Sequence, residues 1–314
     1  MIDNTKKTVI ICGVLNKRGS TNIPQALSFI RFGFNVIPIN YRTIISEYGM
    51  EYFGNLLIYI INKTNPVLVL FSKCNGVDPD IIKRCNKLTK TWLFNMDPIS
   101  TIKRCPEVIE HARNAHFSSC TGGGVVEWFR EQGVDNCVHI IEGLDYTIFK
   151  PVEPVDEFKA EISFIGTSTQ ERSRYKKLLE EAGIDVRFYG TGYSNKEMIE
   201  EDFAKICSSS KFMLSINTQN DIPMYFSDRV LRYLGCGSCV LHFDPIGTMD
   251  KFFKIGDEIL TFKYDSELLE VINNTNIESA GKIALAGREK VLMNYTWDHS
   301  VATILNILGF VNGR

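Results

Sequence analysis

Ile162-Ser163-Phe164-Ile165-Gly166-Thr167-Ser168-Thr169-Gln170-Glu171-Arg172 reads as a short apolar strand that runs into a loop of small residues and then opens a helix over Arg172–Ala182. The alternation continues with strand Val186–Tyr189, helix Lys196–Ile206, strand Phe212–Ile216, helix Phe226–Leu234, and strands Cys239–Phe243 and Ile259–Phe262. Helical patterns at 266–273, 279–293 and 297–309 close the chain. Residues before this block follow the same rule. Strands Thr8–Val14, Asn35–Ile39, Pro66–Phe71, Thr91–Phe94, His116–Ser118 and Val138–Ile141 are separated by helices Gln25–Phe32, Ile44–Ile61, Pro79–Leu88 and Val125–Gln132. Strands separated by helices form parallel βαβ units. The stretch Lys150–Lys159 has two prolines, several charges and no period, so it predicts a linker between a domain of residues 1–150 and one of 151–314. The expectation is an α/β protein of two doubly wound, Rossmann-like domains facing a cleft, with ligands at the carboxyl ends of the strands.

A chain of 314 residues with 44% hydrophobic and 23% charged residues can bury two cores, which excludes disorder and collagen-like or coiled-coil architecture. Net charge is −2, unlike a dedicated nucleic-acid binder. The halves differ: residues 1–150 carry 17 Lys and Arg against 13 Asp and Glu, whereas residues 151–314 carry 18 against 24. The first half can therefore welcome an anion. Nine scattered cysteines in apolar runs read as reduced thiols, and the N-terminal apolar run is too short for a signal or a membrane span. The expectation is a cytoplasmic protein with no membrane partner, and the sequons at Asn62 and Asn294 then have no role. The surplus of Ile, Asn, Lys, Tyr and Phe fits an AT-rich genome such as that of a phage, a virus or a low-GC bacterium.

Walker, G-x-G-x-x-G, H-E-x-x-H and G-x-S-x-G signatures are absent, which removes the common kinase, dehydrogenase, zincin and hydrolase readings. Between the first strand and the first helix stands Cys12–Asn22, whose Gly19, Ser20, Thr21 and Asn22 are candidate acceptor-binding residues or an ordinary βα turn. Arg172 lies in a first helical turn, where a diphosphate serves it well; the other reading is a solvated surface arginine. Tyr189-Gly190-Thr191-Gly192 is a turn open to a ring or phosphate, or a plain left-handed turn. Thr121-Gly122-Gly123-Gly124 offers amides to an anion or simply caps a helix. Cys236-Gly237-Ser238-Cys239 closes a helix rather than opening one, so burial is expected rather than redox or zinc chemistry. The five histidines have no visible Ser or Cys partner. Lys83, Arg84, Lys87, Lys90, Lys103 and Arg104 read as a solvated face, or as a track for a polyanion.

The segment Met224–Leu241, with Ser227-Asp228-Arg229-Val230-Leu231-Arg232-Tyr233-Leu234-Gly235-Cys236-Gly237, resembles the nucleotide-sugar helix of GT-B glycosyltransferases, R-V-x-E-x-L/M-A-x-G-x-x-V/P-L. Together with Ile162–Thr167, Arg172, Arg187-Phe188-Tyr189-Gly190, Ser208–Ile216 and Asp257–Phe262, it is similar over about 150 residues to the spore-maturation (CgeB-like) glycosyltransferase group. Gly143-Leu144-Asp145-Tyr146-Thr147-Ile148-Phe149-Lys150-Pro151 resembles the G-x-D-x-x-x-F-x-P run that leaves the N-terminal domain of such enzymes. Trp92-Leu93-Phe94-Asn95-Met96-Asp97 resembles, with one residue inserted, the Y-L-F-T-D run of the T-even phage DNA β-glucosyltransferases, whose aspartate is the general base.

The resemblance implies a glycosyltransferase that uses a nucleoside-diphosphate sugar, with UDP favoured, as co-substrate and needs no further cofactor or metal. Asp97 would be the base. Gly166, Thr167, Arg172, Tyr189, Gly190, Ser227, Arg229 and Arg232 would form the donor site. Arg232 stands where the family has the glutamate that grips the ribose hydroxyls, and Met224 stands where retaining members have their other glutamate. A guanidinium cannot accept a hydrogen bond, so either ribose recognition or the donor itself must differ, and the missing pair favours inversion. The acceptor is a hydroxymethylated DNA base, or alternatively a glycan, protein or small molecule. A catalytically inactive nucleotide-sugar-binding module is the competing reading, with Arg232 its main argument.

Overall fold

The computed structural model describes residues 7–17, 19–193 and 200–310. Two compact units emerge: residues 1–142 with 297–314, and residues 143–296. In the first, β1 (Thr8–Gly13), β2 (Asn35–Asn40), β3 (Leu68–Ser72), β4 (Thr91–Asn95), β5 (Phe117–Cys120) and β6 (Cys137–His139) form one parallel sheet in the order β2-β1-β3-β4-β5-β6. The crossovers are α1 (Asn22–Arg31), α2 (Tyr41–Tyr48), α3 (Met50–Thr64), α4 (Pro79–Asn86), α5 (Ile99–Ile102), α6 (Glu107–Asn114) and α7 (Gly123–Glu131). β1, β3 and β4 are buried at every position, as strands covered on both faces must be.

In the second unit, β7 (Ala160–Ile165), β8 (Val186–Tyr189), β9 (Ser210–Ser215), β10 (Cys239–Phe243) and β11 (Leu260–Phe262) are parallel in the order β11-β10-β9-β7-β8. Helices α8 (Gln170–Glu181), α9 (Glu200–Ser209), α10 (Arg229–Gly235), α11 (Asp265–Asn274) and α12 (Ile277–Asn294) complete it. The first four residues of the expected helix Lys196–Ile206 lie outside the described residues. Each sheet reverses direction once, between β1 and β3 in one unit and between β7 and β9 in the other. Such switch points open a crevice at the strand ends.

The structure differs from the sequence reading in four places. The expected single helix Ile44–Ile61 is two, broken at Gly49, whose φ of 87° excludes continued helix. Helices α5 and α6 fill the stretch between the strands at Thr91–Phe94 and His116–Ser118, to which the sequence reading assigns no element. The helix expected from Phe226 begins at Arg229, because Asn217 holds the preceding loop: its Oδ1 accepts from Ser227 N at 3.1 Å, and its Nδ2 donates to Tyr225 O at 3.4 Å. The boundary falls at 142/143 rather than at 150/151. Residues 143–150 already pack on the second unit, where the Phe149 and Phe203 rings lie 5.3 Å apart and a Cβ on Gly235 would meet Leu144 at 2.7 Å. The chain then returns, for α13 (Trp297–Ile307) belongs to the first unit, where buried Trp297, Val301, Ile304 and Leu305 join the core of Val9, Phe29, Leu70 and Phe94.

His242 on β10 is buried with its Nδ1 3.1 Å from Ser215 Oγ, a serine partner not visible in the sequence. Burial lowers its pKa to about 4, an effect that nearby Asp244 opposes and Arg229 reinforces. Below about pH 6.5 the unfolded chain binds a proton that the folded chain refuses, so stability should fall progressively from about pH 6.5 down to pH 4. Urea midpoints measured at pH 7 and pH 4.5 should differ by less in His242→Gln than in the parent chain; an equal difference contradicts this origin.

Candidate functional site

At the switch point of the second unit, β7 delivers Gly166 and Thr167 and β8 delivers Gly190 and Thr191. Gly166 N donates to Tyr189 O at 2.9 Å and Ser168 N to Thr191 O at 2.8 Å, so the two loops are laced together. Gly190 adopts φ 110°, and a Cβ there would lie 2.6 Å from Gly166 O. Both facts require glycine. A Cβ on Gly166 would come within 2.9 Å of Arg229 Nη2 and 3.0 Å of the Phe164 ring. Its bare backbone therefore leaves room for the guanidinium beside the loop.

Arg229 is fixed from several sides. Its Nε donates to Ile165 O at 2.8 Å, and its Nη1 donates to Ile216 O at 3.2 Å and to Ser227 Oγ at 3.3 Å. Its Cζ stands 5.1 Å from the Phe164 ring centroid. Nη2 has no acceptor among the described residues. Arg232 lies one helical turn on, with Nη2 2.5 Å from Asp228 Oδ2 and its Cζ 4.8 Å from the Phe149 ring centroid. Ile165, Gly166, Thr167, Gly190, Thr191, Phe203, Asp228, Arg229 and Arg232 surround one cavity of about 240 Å³. Among the described residues it is lined by two guanidinium groups and one carboxylate, and the guanidinium groups suit a diphosphate.

Of the eight donor residues expected from sequence, Gly166, Thr167, Gly190, Arg229 and Arg232 meet at this cavity. Ser227 supports Arg229 from behind. Tyr189 carries its ring edge-on to Phe158 at 6.2 Å, and burial raises its phenol pKa. Arg172 lies beneath the loop at 2% exposure, neither surface-solvated nor lining the cavity. Its Nη1 donates to Thr167 O at 2.8 Å, its Nη2 to Ile216 O at 2.8 Å and its Nε to Ile216 O at 3.1 Å. Burial, helped by neighbouring Arg229, lowers its pKa to about 10, so it remains cationic at neutral pH. As placed, Arg172 holds the loop in position and does not reach out to grip a ligand.

The first unit has its own polar switch point. Asn22 is 5% exposed; its Oδ1 accepts from Val14 N at 2.8 Å and its Nδ2 donates to Ser72 Oγ at 2.6 Å. Ser20 Oγ donates to Val14 O at 2.5 Å, and Thr21 Oγ1 donates to Met96 Sδ at 3.6 Å. Gly19 takes φ 78°. The side chains of Ser20, Thr21 and Asn22 are thus turned inward to close a βα turn, which leaves backbone rather than side chain for an acceptor. Asp97, just past β4, has a side chain only 13% exposed; Oδ1 accepts from Lys73 Nζ at 2.8 Å and Oδ2 from Asn75 Nδ2 at 2.9 Å. A carboxylate has about four acceptor positions, so a hydroxyl can still bond to it. Lys73 and Cys74 are consecutive non-glycine residues at φ 61° and 59°. Such strain costs of order 1–3 kcal/mol per residue and persists where the surroundings enforce it. Lys73, Asn75 and Asp228 were not foreseen. A strand ending in Lys-Cys-Asn-Gly and an acid just before Arg229 were the available signals.

Cys236 and Cys239 are buried, and all nine cysteines are unbridged. Thr121–Gly124 opens α7 with Gly122 as its N-cap. Lys83, Lys87, Lys90, Lys103 and Arg104 are exposed. A larger cavity of about 700 Å³ sits at the opposite ends of β7, β9 and β10 and touches none of the expected site residues. No helix among the described residues is long and apolar enough to cross a membrane.

A family model described as "Glycosyl transferase-like" matches residues 170–306. No curated protein matches the chain. Sucrose-phosphate synthase from Thermosynechococcus elongatus superposes with a TM-score of 0.67 at 12% identity, over 96% of this chain and 98% of that one. A glycosyltransferase from Rickettsia africae gives 0.65 at 14%, over 98% and 100%. Anabaena HepE in complex with UDP-glucose gives 0.65 at 10%, over 97% and 100%. The two-sheet fold of this chain is thus that of the GT-B glycosyltransferases on which it superposes, and the glycosyl transferase-like match spans residues 170–306 of it.

Proposed function

We propose that the chain transfers a sugar from a UDP-sugar to an acceptor hydroxyl, with inversion and without a metal ion. The observation that carries the reading is the cavity at the β7–β9 switch point, where Gly166, Thr167, Gly190, Arg229 and Arg232 converge. HepE has been crystallised with UDP and with UDP-glucose on the same fold, which supports a nucleotide-sugar donor. In the proposed step, the acceptor oxygen attacks the anomeric carbon as Asp97 removes its proton, and the bond from that carbon to the diphosphate oxygen breaks. Negative charge grows on the departing nucleoside diphosphate, and Arg229, already oriented by three bonds, stabilises it through Nη2. Arg172 keeps the loop in shape for this task.

The acceptor carries a hydroxyl. The motif resemblance to the phage enzymes and the positive balance of residues 1–150 favour a hydroxymethylated DNA base over a glycan, a protein or a small molecule. Titration with UDP-glucose and other UDP-sugars, followed by UDP release with and without hydroxymethylated DNA, tests the reading. Arg229→Ala should weaken UDP binding by about 10–100-fold. Unchanged affinity in that variant, or a parent chain that neither binds UDP-sugars nor releases UDP, rejects it.

A further inference from the structure

Among the described residues that surround the 240 Å³ cavity, Asp228 is the single carboxylate. Its Oδ2 is paired with Arg232, and its Oδ1 has no partner among the described residues. Side-chain exposures of 25% for Asp228 and 22% for Arg232 leave the pair partly open, and the Phe149 ring backs the guanidinium at 4.8 Å. A nucleotide sugar presents two kinds of group to such a cavity: a diphosphate, which calls for donors, and vicinal diols, which need an acceptor. Arg229 and Arg232 supply donors only. An unpaired carboxylate would repel the diphosphate, but the Arg232 ion pair neutralises it while leaving one oxygen available.

We propose that Asp228, held by Arg232, is the hydroxyl acceptor of this site and bonds a vicinal diol of the donor, so that the carboxylate missing at position 232 is supplied one helical turn earlier. The inference rests on the donor-site reading above. The diol can come from the ribose or from the transferred hexose, and the two sources give different results.

Dissociation constants of UDP, 2′-deoxy-UDP and UDP-glucose are compared for the parent chain and Asp228→Ala. Removing Asp228 frees the Arg232 charge and strengthens every diphosphate alike, so the ratios between ligands carry the result rather than the affinities. If the ribose is bound, the parent chain prefers UDP to 2′-deoxy-UDP by about 10-fold or more, and the variant brings that ratio close to one. If the hexose is bound, the advantage of UDP-glucose over UDP collapses instead. Ratios that are the same in parent and variant for both comparisons overturn the proposal, as does a parent chain that discriminates in neither. Should the alanine variant not fold, Asp228→Asn, nearly isosteric and without charge, is read in the same way, with a partial loss of the ratio expected. A parent chain that binds none of the three nucleotides refutes the donor-site reading itself; intact binding with unaltered ratios refutes only Asp228.

Discussion

Replacing Asp97 with asparagine is expected to cut turnover by about 10²–10⁴-fold and leave UDP affinity where it was. The carboxylate lies in the first unit, whereas the described residues around the 240 Å³ cavity, the proposed donor site, belong to the second, so no contact of Asp97 in its own unit supports that cavity. Asparagine fills the same volume and still accepts at one oxygen, which preserves one of the bonds from Lys73 and Asn75. What it loses is the ability to take up the acceptor's proton. The check is UDP release at saturating acceptor, with the UDP dissociation constant and the melting temperature measured in parallel. Full turnover rejects the base role. A large fall in melting temperature with proportionate loss of UDP binding assigns Asp97 to structure instead.

Arg172→Met should destabilise the second unit by about 2–3 kcal/mol. Methionine approximates the volume but leaves Thr167 O without its donor and Ile216 O with only the 3.2 Å contact from Arg229. The Phe164 ring, 5.1 Å from the Arg172 Cζ, loses a cation as well. Urea unfolding at an unchanged slope reads the loss directly. UDP affinity should fall with it, since Thr167 borders the cavity. Arg172→Lys, with a single nitrogen in place of a three-point fork, should recover part of the stability and not all. A variant as stable as the parent chain contradicts a loop-holding role.

Much of the fold is legible in short apolar runs because parallel strands covered on both faces have no polar positions to hide them. Ile10, Leu70 and Phe94 are wholly buried for that reason. The helix break at Gly49 and the helices at 99–102 and 107–114 are less legible, because α5 and α6 are only 4 and 8 residues long, too short to fill the window over which a helical period is read. The residues of the cavity were legible where the backbone demands a rare residue type, as at Gly166 and Gly190. Arg172 was misread, because its position in a first helical turn is the same whether the guanidinium faces a ligand or folds back on Ile216 O.

Sequence alone determined the alternation of strand and helix, the glycine loops and the arginines near them, since these follow from hydrophobic period and backbone conformational freedom. Only tertiary structure decided which groups meet. Lys73, Asn75 and Asp97 converge because β3 and β4 are adjacent in the sheet, and Trp297 leaves the segment it follows because its apolar face completes the first unit's core. Distances between side chains depend on strand order and packing, and no local stretch of residues contains either.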